Sequence, residues 1–239
     1  MLIGPQISAA DGALALNLRA LRARIASAAA AAGRSERSIT LVAVSKGHSE
    51  QHLRAAADLG MRDFGESYLQ EALDKRASLA ARALTWHFIG RVQTNKTRPI
   101  AESFDWVHGI DRLRVAERLS AQRPAALAPL QVCIQVNIAA EPGKAGVAPD
   151  AAAALAAAMA RLPRLQLRGL MCILPQGLQS QANRGAFGAL RALLADINAG
   201  HGGQLDTLSM GMSADFDDAI AEGATLLRVG TALFGARPG

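Results

Sequence analysis

The sequence predicts a single (β/α)8 barrel with one extra helix in front of it. Eight short apolar segments have the size of buried strands, and a helix-length segment separates each from the next. Strict alternation of this kind makes the strands parallel, because every crossover must return along one face of the sheet. Eight such units match a closed TIM-type α/β barrel in number and in length. An open doubly wound sheet is the alternative. It is disfavoured because no Gly-rich phosphate loop follows an early strand.

The elements follow in order. Residues 8–32 read as a long helix with Leu14, Leu18, Leu21 and Ile25 on one stripe. Strand one is 39–46 (ITLVAVSK), with the apolar run Leu41 to Val44 at its centre. Strands two to four are 63–67 (DFGES), 85–90 (TWHFIG) and 106–111 (WVHGID). Strands five and six are 130–138 (LQVCIQVNI) and 167–173 (LRGLMCI), and the last two are 207–213 (TLSMGMS) and 226–232 (LLRVGTA). Helices are expected over 50–59, 68–82, 93–102, 112–122, 149–161, 180–199 and 214–222. Residues 139–149 read as a loop between a strand and a helix. No linker, low-complexity tract or composition break marks a second domain. We therefore expect one domain over 1–239, with residues 1–37 as a helical extension packed on the barrel.

Composition narrows the function. Half of the residues are hydrophobic and 19% are charged, as in a globular protein. No apolar run reaches the roughly 18 residues of a membrane span, and no basic-then-apolar leader opens the chain. The cytoplasm is the expected location, with no membrane partner. A net charge of +6 admits a nucleic-acid partner. The arginines are scattered, however, and aromatics are only 4%, too few for base-stacking platforms. No nucleic acid is expected; a basic surface suits small phosphorylated ligands. Cys133 and Cys172 sit in apolar runs and read as buried free thiols. With five His and two Cys, none at ligand spacing, no metal site is expected.

A barrel of this type does its chemistry at the C-terminal strand ends. Those ends carry Lys46, Glu66 and Ser67, Gly90, Asp111, Asn137, Cys172 and Ile173, Ser213, and Gly230 with Thr231. Lys46 stands out because the chain has 4 lysines against 22 arginines. A lysine here suggests a need for an amine, not merely for a charge. It shares a strand face with Val42 and Val44. If those valines fill the barrel, the amine projects over the mouth, loses hydration and becomes available as the neutral nucleophile that Schiff-base formation needs. The alternative is a solvated lysine at a strand end. On the last strand, Arg228 and Gly230 share a face. A buried arginine needs a partner; Asp111 is one candidate and the aromatic ring nitrogen of a ligand is another. Thr231 can open a short helix whose N–H groups bind phosphate, with the Ser213 hydroxyl added from strand seven. Helix capping is the plainer role for both.

A lysine imine, a phosphate site and an arginine for a ring nitrogen together describe pyridoxal phosphate. The stretches "LVAVSK", "DFGESYLQEA", "WHFIGRVQTNK", "FDWVHGID", "VNIAAEPGKAG", "LRGLMCI" and "LSMGMSADFDDAIAEGATLLRVGTALFGAR" run from about residue 39 to the C-terminus. In them the chain resembles the pyridoxal phosphate homeostasis protein family, whose barrel resembles the N-terminal domain of alanine racemase. The resemblance implies that Lys46 forms the Schiff base with pyridoxal 5'-phosphate. It implies that Arg228 faces the pyridine nitrogen and that Ser213, Gly230 and Thr231 hold the phosphate. The family usually has Asn where this chain has Ser67, which is shorter and lacks an amide donor, so a ring contact from that position is expected to be lost or water-mediated. His87 is placed near the cofactor, or else hydrogen-bonded within the core.

The racemases that this fold resembles take their second base from a tyrosine of a separate β-domain. The sole tyrosine here, Tyr68, follows strand two and is assigned to packing. Arginine does not give up a proton near neutral pH, so the ring would be a weak electron sink. The expected role is therefore a monomeric, non-catalytic holder of pyridoxal phosphate in intracellular homeostasis and delivery, with apo forms of pyridoxal phosphate enzymes as partners. A low-activity racemase-like enzyme is the rival, and a Schiff-base aldolase without the cofactor is a third class. Lys144 is assigned to the surface, with a second transient cofactor contact as its alternative. Glu66 is expected to pair with an arginine or to orient a neighbour.

Overall fold

The structure is a computed structural model that describes residues 9–201 and 205–237. Helix α1 (Ala9–Ala31) comes first. Then β1 (Thr40–Val44), α2 (Glu50–Asp58), β2 (Asp63–Glu66), α3 (Leu69–Ser78), β3 (Thr85–Phe88), α4 (Thr97–Ser103) and β4 (Trp106–Ile110) alternate. The second half runs α5 (Leu113–Gln122), β5 (Leu130–Gln135), α6 (Pro149–Met159), β6 (Leu165–Met171), α7 (Ser180–His201), β7 (Thr207–Ser209), α8 (Phe216–Ala221), β8 (Leu226–Val229) and α9 (Thr231–Phe234). The strands pair in sequence order, all parallel, and β8 closes on β1 with Val42 opposite Arg228. The barrel predicted from strand and helix alternation is the barrel observed.

Closure demands close backbone approach. Gly169 on β6 pairs with Thr207 on β7, and a Cβ there would sit 1.9 Å from the Thr207 carbonyl oxygen. No side-chain adjustment relieves a clash with backbone, so this position excludes every other residue.

The apolar stripe of α1 is buried: Leu14, Leu18, Leu21 and Ile25 are each at most 5% exposed. The helix lies against α2, α8 and α9. Asn17 donates to the Leu233 carbonyl at 3.1 Å, and Arg34 donates to the Ile220 carbonyl at 3.0 Å. The first bond fastens α1, and the second the turn that follows it, beside the elements that flank β8. Residue 8, where the sequence places the helix start, lies outside the described residues.

Several strands stop earlier than their apolar patterns imply. Strand β7 ends at Ser209 because Gly211 turns the chain with a φ of +94°. The following loop is fixed by Asp215, whose carboxylate accepts from the Met212 N–H at 2.6 Å. Strand β8 ends at Val229, and residues 231–234 form α9. Ser213 and Thr231 thus lie on loop and helix just above the strand ends, where loops can close around a ligand. Among the described residues, no helix is long and apolar enough to cross a membrane.

Replacing Gly169 by Ala is expected to prevent soluble folding or to cost more than about 3 kcal/mol, beyond what one added methyl costs in a core that can yield. Urea unfolding of the purified variant checks this; stability within 1 kcal/mol of wild type, on the scale of an ordinary surface change, would contradict it.

Candidate functional site

A cavity of about 590 Å³ opens at the C-terminal ends of the strands. That size suits a small organic ligand. Lys46, Ser67, Ser213, Arg228, Gly230 and Thr231 all line it. So does Arg237, a cation that strand-end reading could not supply because it follows α9.

Lys46 is half-buried one residue beyond Ser45, and Val44 beside it also borders the cavity. Burial lowers its amine from the usual lysine range. The charges of Arg237 and Arg228 lower it further, while Glu66 opposes them. All three downward influences favour the neutral amine.

The backbone that carries Lys46 is clamped from both sides. Lys75 donates to the Ser45 carbonyl at 2.7 Å, to Glu66 Oε1 at 2.8 Å and to Glu71 Oε1 at 2.5 Å. The Ser45 hydroxyl donates to Glu66 Oε1 at 2.7 Å, and the Gly47 N–H donates to Glu71 Oε1 at 2.6 Å. Glu66 is fully buried, and burial raises its carboxyl while the bonds from Lys75 and Ser45 lower it. Glu66 therefore pairs with a lysine, not an arginine, and it orients Ser45. Sequence reading missed Lys75 altogether. The signal was present: a fourth lysine in a lysine-poor chain, at i+4 from Glu71 on one helix face.

Arg228 is 4% exposed. Its Nη1 donates to Ser209 Oγ at 2.6 Å and its Nη2 to the Cys172 carbonyl at 2.8 Å. The Asp111 candidate is corrected: that carboxylate accepts from its neighbour Arg112 at 2.6 Å, and it follows β4 on the far side of the barrel from β8. A guanidinium has five N–H donors, so donors remain for a ligand in the cavity that Arg228 borders. Its proton affinity falls through burial, offset in part by the Asp215 carboxylate.

At the rim, the Ser213 hydroxyl accepts from the Ala232 N–H at 3.2 Å. This ties the loop after β7 to the first turn of α9. A Cβ at Gly230 would stand 3.1 Å from the Val44 carbonyl oxygen, so only a glycine leaves this edge of the cavity uncrowded. On the other side, a Cβ at Gly90 would reach within 2.5 Å of the Ser67 carbonyl oxygen. Gly90 thereby lets the Ser67 backbone settle against β3.

His87 is a second correction. It lies inside the barrel but not on the cavity wall. Its ring nitrogens face His108 and Asp63, each at 3.0 Å. Strand alternation places it one layer below Ile89, which does line the cavity. Tyr68 is a third: it is 58% exposed at the start of α3, so it neither packs in the core nor borders the cavity. Lys144 is exposed and paired with Glu141 at 2.6 Å, away from the cavity wall. Cys133 and Cys172 are free and buried, with thiols pushed up to about 12 by burial. Among the described residues no cluster of ligating side chains could hold a metal ion.

A closed parallel barrel with a desolvated lysine at the end of its first strand and a buried arginine on its last defines a class. The family described as "Alanine racemase, N-terminal domain" matches residues 16–238. Alanine racemase of Clostridium difficile shares the fold at a TM-score of 0.73 and 13% identity, over 95% of this chain and 57% of that one. Within that class, the pyridoxal phosphate homeostasis protein of Pseudomonas aeruginosa is 56% identical over 94% of this chain and 96% of its own length. The homonymous protein of Escherichia coli K12 is 47% identical over 94% and 97%. PipY of Synechococcus elongatus, solved with pyridoxal phosphate bound, is 38% identical at a TM-score of 0.82, over 93% of this chain and 100% of that one. The chain belongs to the pyridoxal phosphate homeostasis protein family.

Truncating Lys75 to Met leaves Glu66 as an unpaired buried carboxylate, which is expected to cost about 3–5 kcal/mol. The Lys75→Met, Glu66→Gln double variant is expected to recover at least half of that loss. Urea denaturation of both checks the pair; additive losses would contradict the clamp.

Proposed function

We propose that the chain binds pyridoxal 5'-phosphate, holds it as a Schiff base on Lys46, and acts as a non-catalytic holder that keeps and delivers the cofactor. The observation that carries this reading is one cavity that unites a desolvated amine with Arg228, Arg237 and the Ser213–Thr231 rim. The residues present fit the group. Its polar groups include an aldehyde, a ring nitrogen and a phosphate, and the wall offers an amine, unused guanidinium donors and a cationic, hydroxyl-bearing rim.

When bound, the cofactor supplies an electrophilic aldehyde carbon and a ring able to accept electrons. Lys46, neutral for a larger share of the time than an ordinary lysine, would supply the amine for that carbon. Arg228 would donate to the ring nitrogen without transferring a proton, because guanidinium stays charged. Ser213, the backbone around Gly230 and Thr231, and the Arg237 charge would hold the phosphate. Ser67, shorter than an amide side chain, contributes at most a hydroxyl at the cavity edge.

Two features support a holder over an enzyme. The tyrosine that racemases use as second base has no counterpart on the wall, since Tyr68 is exposed and does not line it; besides Lys46 and the arginines, the titratable side chains there are His48 and Asp215. An arginine at the ring nitrogen also weakens carbanion stabilisation. The likeness to racemases at 13% identity supports the fold and nothing further. A monomer in the cytoplasm, with apo pyridoxal phosphate enzymes as recipients, completes the proposal.

Purified protein is expected to show a yellow, borohydride-reducible chromophore that Lys46→Ala abolishes; a fully occupied, trappable adduct in that variant would overturn the assignment. Incubation with amino acids in deuterated water is expected to give no protein-dependent Cα exchange, and exchange at useful rates would favour a racemase-like enzyme. Because burial and Arg237 lower the Lys46 amine, the rate at which ligand-free protein condenses with added pyridoxal phosphate should rise with pH to a midpoint below the usual lysine value of about 10.4. Arg237→Gln removes one repelling charge and should move that midpoint upward; an unchanged midpoint would exclude the charge effect.

A further inference from the structure

Below the cavity, the barrel interior is crossed by polar side chains where branched apolar ones usually fill such a core. From Arg228 on β8 the hydrogen bonds run to Ser209 Oγ on β7 at 2.6 Å and on to His108 Nδ1 on β4 at 2.8 Å. His108 Nε2 meets His87 Nδ1 on β3 at 3.0 Å, and His87 Nε2 meets Asp63 Oδ1 on β2 at 3.0 Å. Ser209 and His108 are fully buried and His87 is 1% exposed, whereas the Asp63 side chain is 28% exposed at the opposite mouth of the barrel. Trp106 stacks on His87 at 5.6 Å and 14°.

Donor counting gives this chain one direction. Guanidinium only donates, so Ser209 Oγ accepts from Arg228 and passes its own hydrogen to His108 Nδ1. His108 then carries its hydrogen on Nε2 and donates to His87 Nδ1. His87 in turn carries its hydrogen on Nε2 and donates to the Asp63 carboxylate, which only accepts. The opposite direction would need an extra proton on His87 and would leave the Ser209 hydrogen without an acceptor among these groups. Burial, with the nearby His87 and Arg228, holds His108 well below the usual histidine range, in keeping with a neutral ring. The other ionisable neighbours are the neutral thiol of Cys133 and the Arg168–Asp206 pair at the far mouth.

We propose that His108 and His87 are positioning residues for Arg228: through Ser209 they fix its guanidinium and link its buried charge to the Asp63 carboxylate at the far end of the barrel. Its unused N–H groups then stay aimed into the cavity. The inference rests on the cofactor reading above only for its binding consequence; the hydrogen-bond direction stands on the ligand-free protein.

Two measurements separate these parts. Nitrogen-15 NMR of the full ligand-free chain with labelled histidine should report His87 and His108 as neutral, each with its hydrogen on Nε2, at pH 7. A hydrogen on Nδ1 of either ring would overturn the proposed direction. In pyridoxal phosphate titrations, His108→Gln, which keeps an acceptor and a donor, should bind within about threefold of wild type. His108→Leu should bind about tenfold or more weakly, the scale of one partnerless buried donor, and shift the pH midpoint of the bound chromophore. Borohydride should still trap the cofactor on Lys46 in both. Leu and Gln variants that bind alike would overturn the positioning role. Should His108→Leu not fold, Ser209→Ala, which removes the same link, must show the same weakening, and wild-type affinity there would overturn it. If wild-type protein binds no pyridoxal phosphate, the cofactor reading fails and the NMR result alone decides the hydrogen-bond direction.

Discussion

The site depends on taking one primary amine partly out of water. Lys46 lies two residues beyond β1, next to the valines of its inward face, and two guanidinium groups share its cavity. These influences disfavour the ammonium and outweigh the opposing Glu66 charge, so the protein raises the share of reactive amine without a dedicated base. Such a group is useful only if it is held still. The Lys75–Glu66–Glu71 cluster does that by gripping the backbone on both sides of Lys46 rather than the side chain itself. The amine keeps its reach while its root stays fixed.

The barrel serves the same end. Parallel strands in sequence order bring the first and last strands together, so Lys46 and Arg228 become neighbours although 182 residues separate them in the chain. The short loop after β7 and the four-residue α9 bring Ser213 and Thr231 to the same rim. Helix α1 packs outside the barrel against α2, α8 and α9, tied down by Asn17, with Arg34 of the following turn adding a second bond. A lysine, an arginine and a hydroxyl-bearing rim from three distant stretches thus converge on one cavity. The family relationship fits this arrangement, since the relatives match over nearly the whole chain, not over one motif.

Much of this was legible in the sequence, for physical reasons. Alternating strand and helix patterns encode a parallel barrel, and a barrel dictates where to look. Lys46, Ser213, Gly230 and Thr231 were reachable because strand-end position alone puts them at the mouth. The lysine scarcity gave Lys46 a chemical meaning. What stayed hidden depends on pairing across space. Asp111 was a reasonable partner for Arg228 until the barrel order set β4 opposite β8. His87 alternates correctly into the interior, but strand periodicity does not tell upper from lower layers. The His108–Ser209 contact spans 101 residues and leaves no periodic trace. Lys75 lies on a helix that strand-end reading never visits, and Tyr68 was misread because an aromatic residue at a helix start need not be covered.

A crystal structure grown with pyridoxal phosphate tests the central claim most directly. The account predicts continuous density from Lys46 Nζ into the cavity, the ring nitrogen beside Arg228, and the phosphate between Ser213 and Thr231. An amine splayed into bulk solvent, with nothing beside the Arg228 guanidinium, would contradict it.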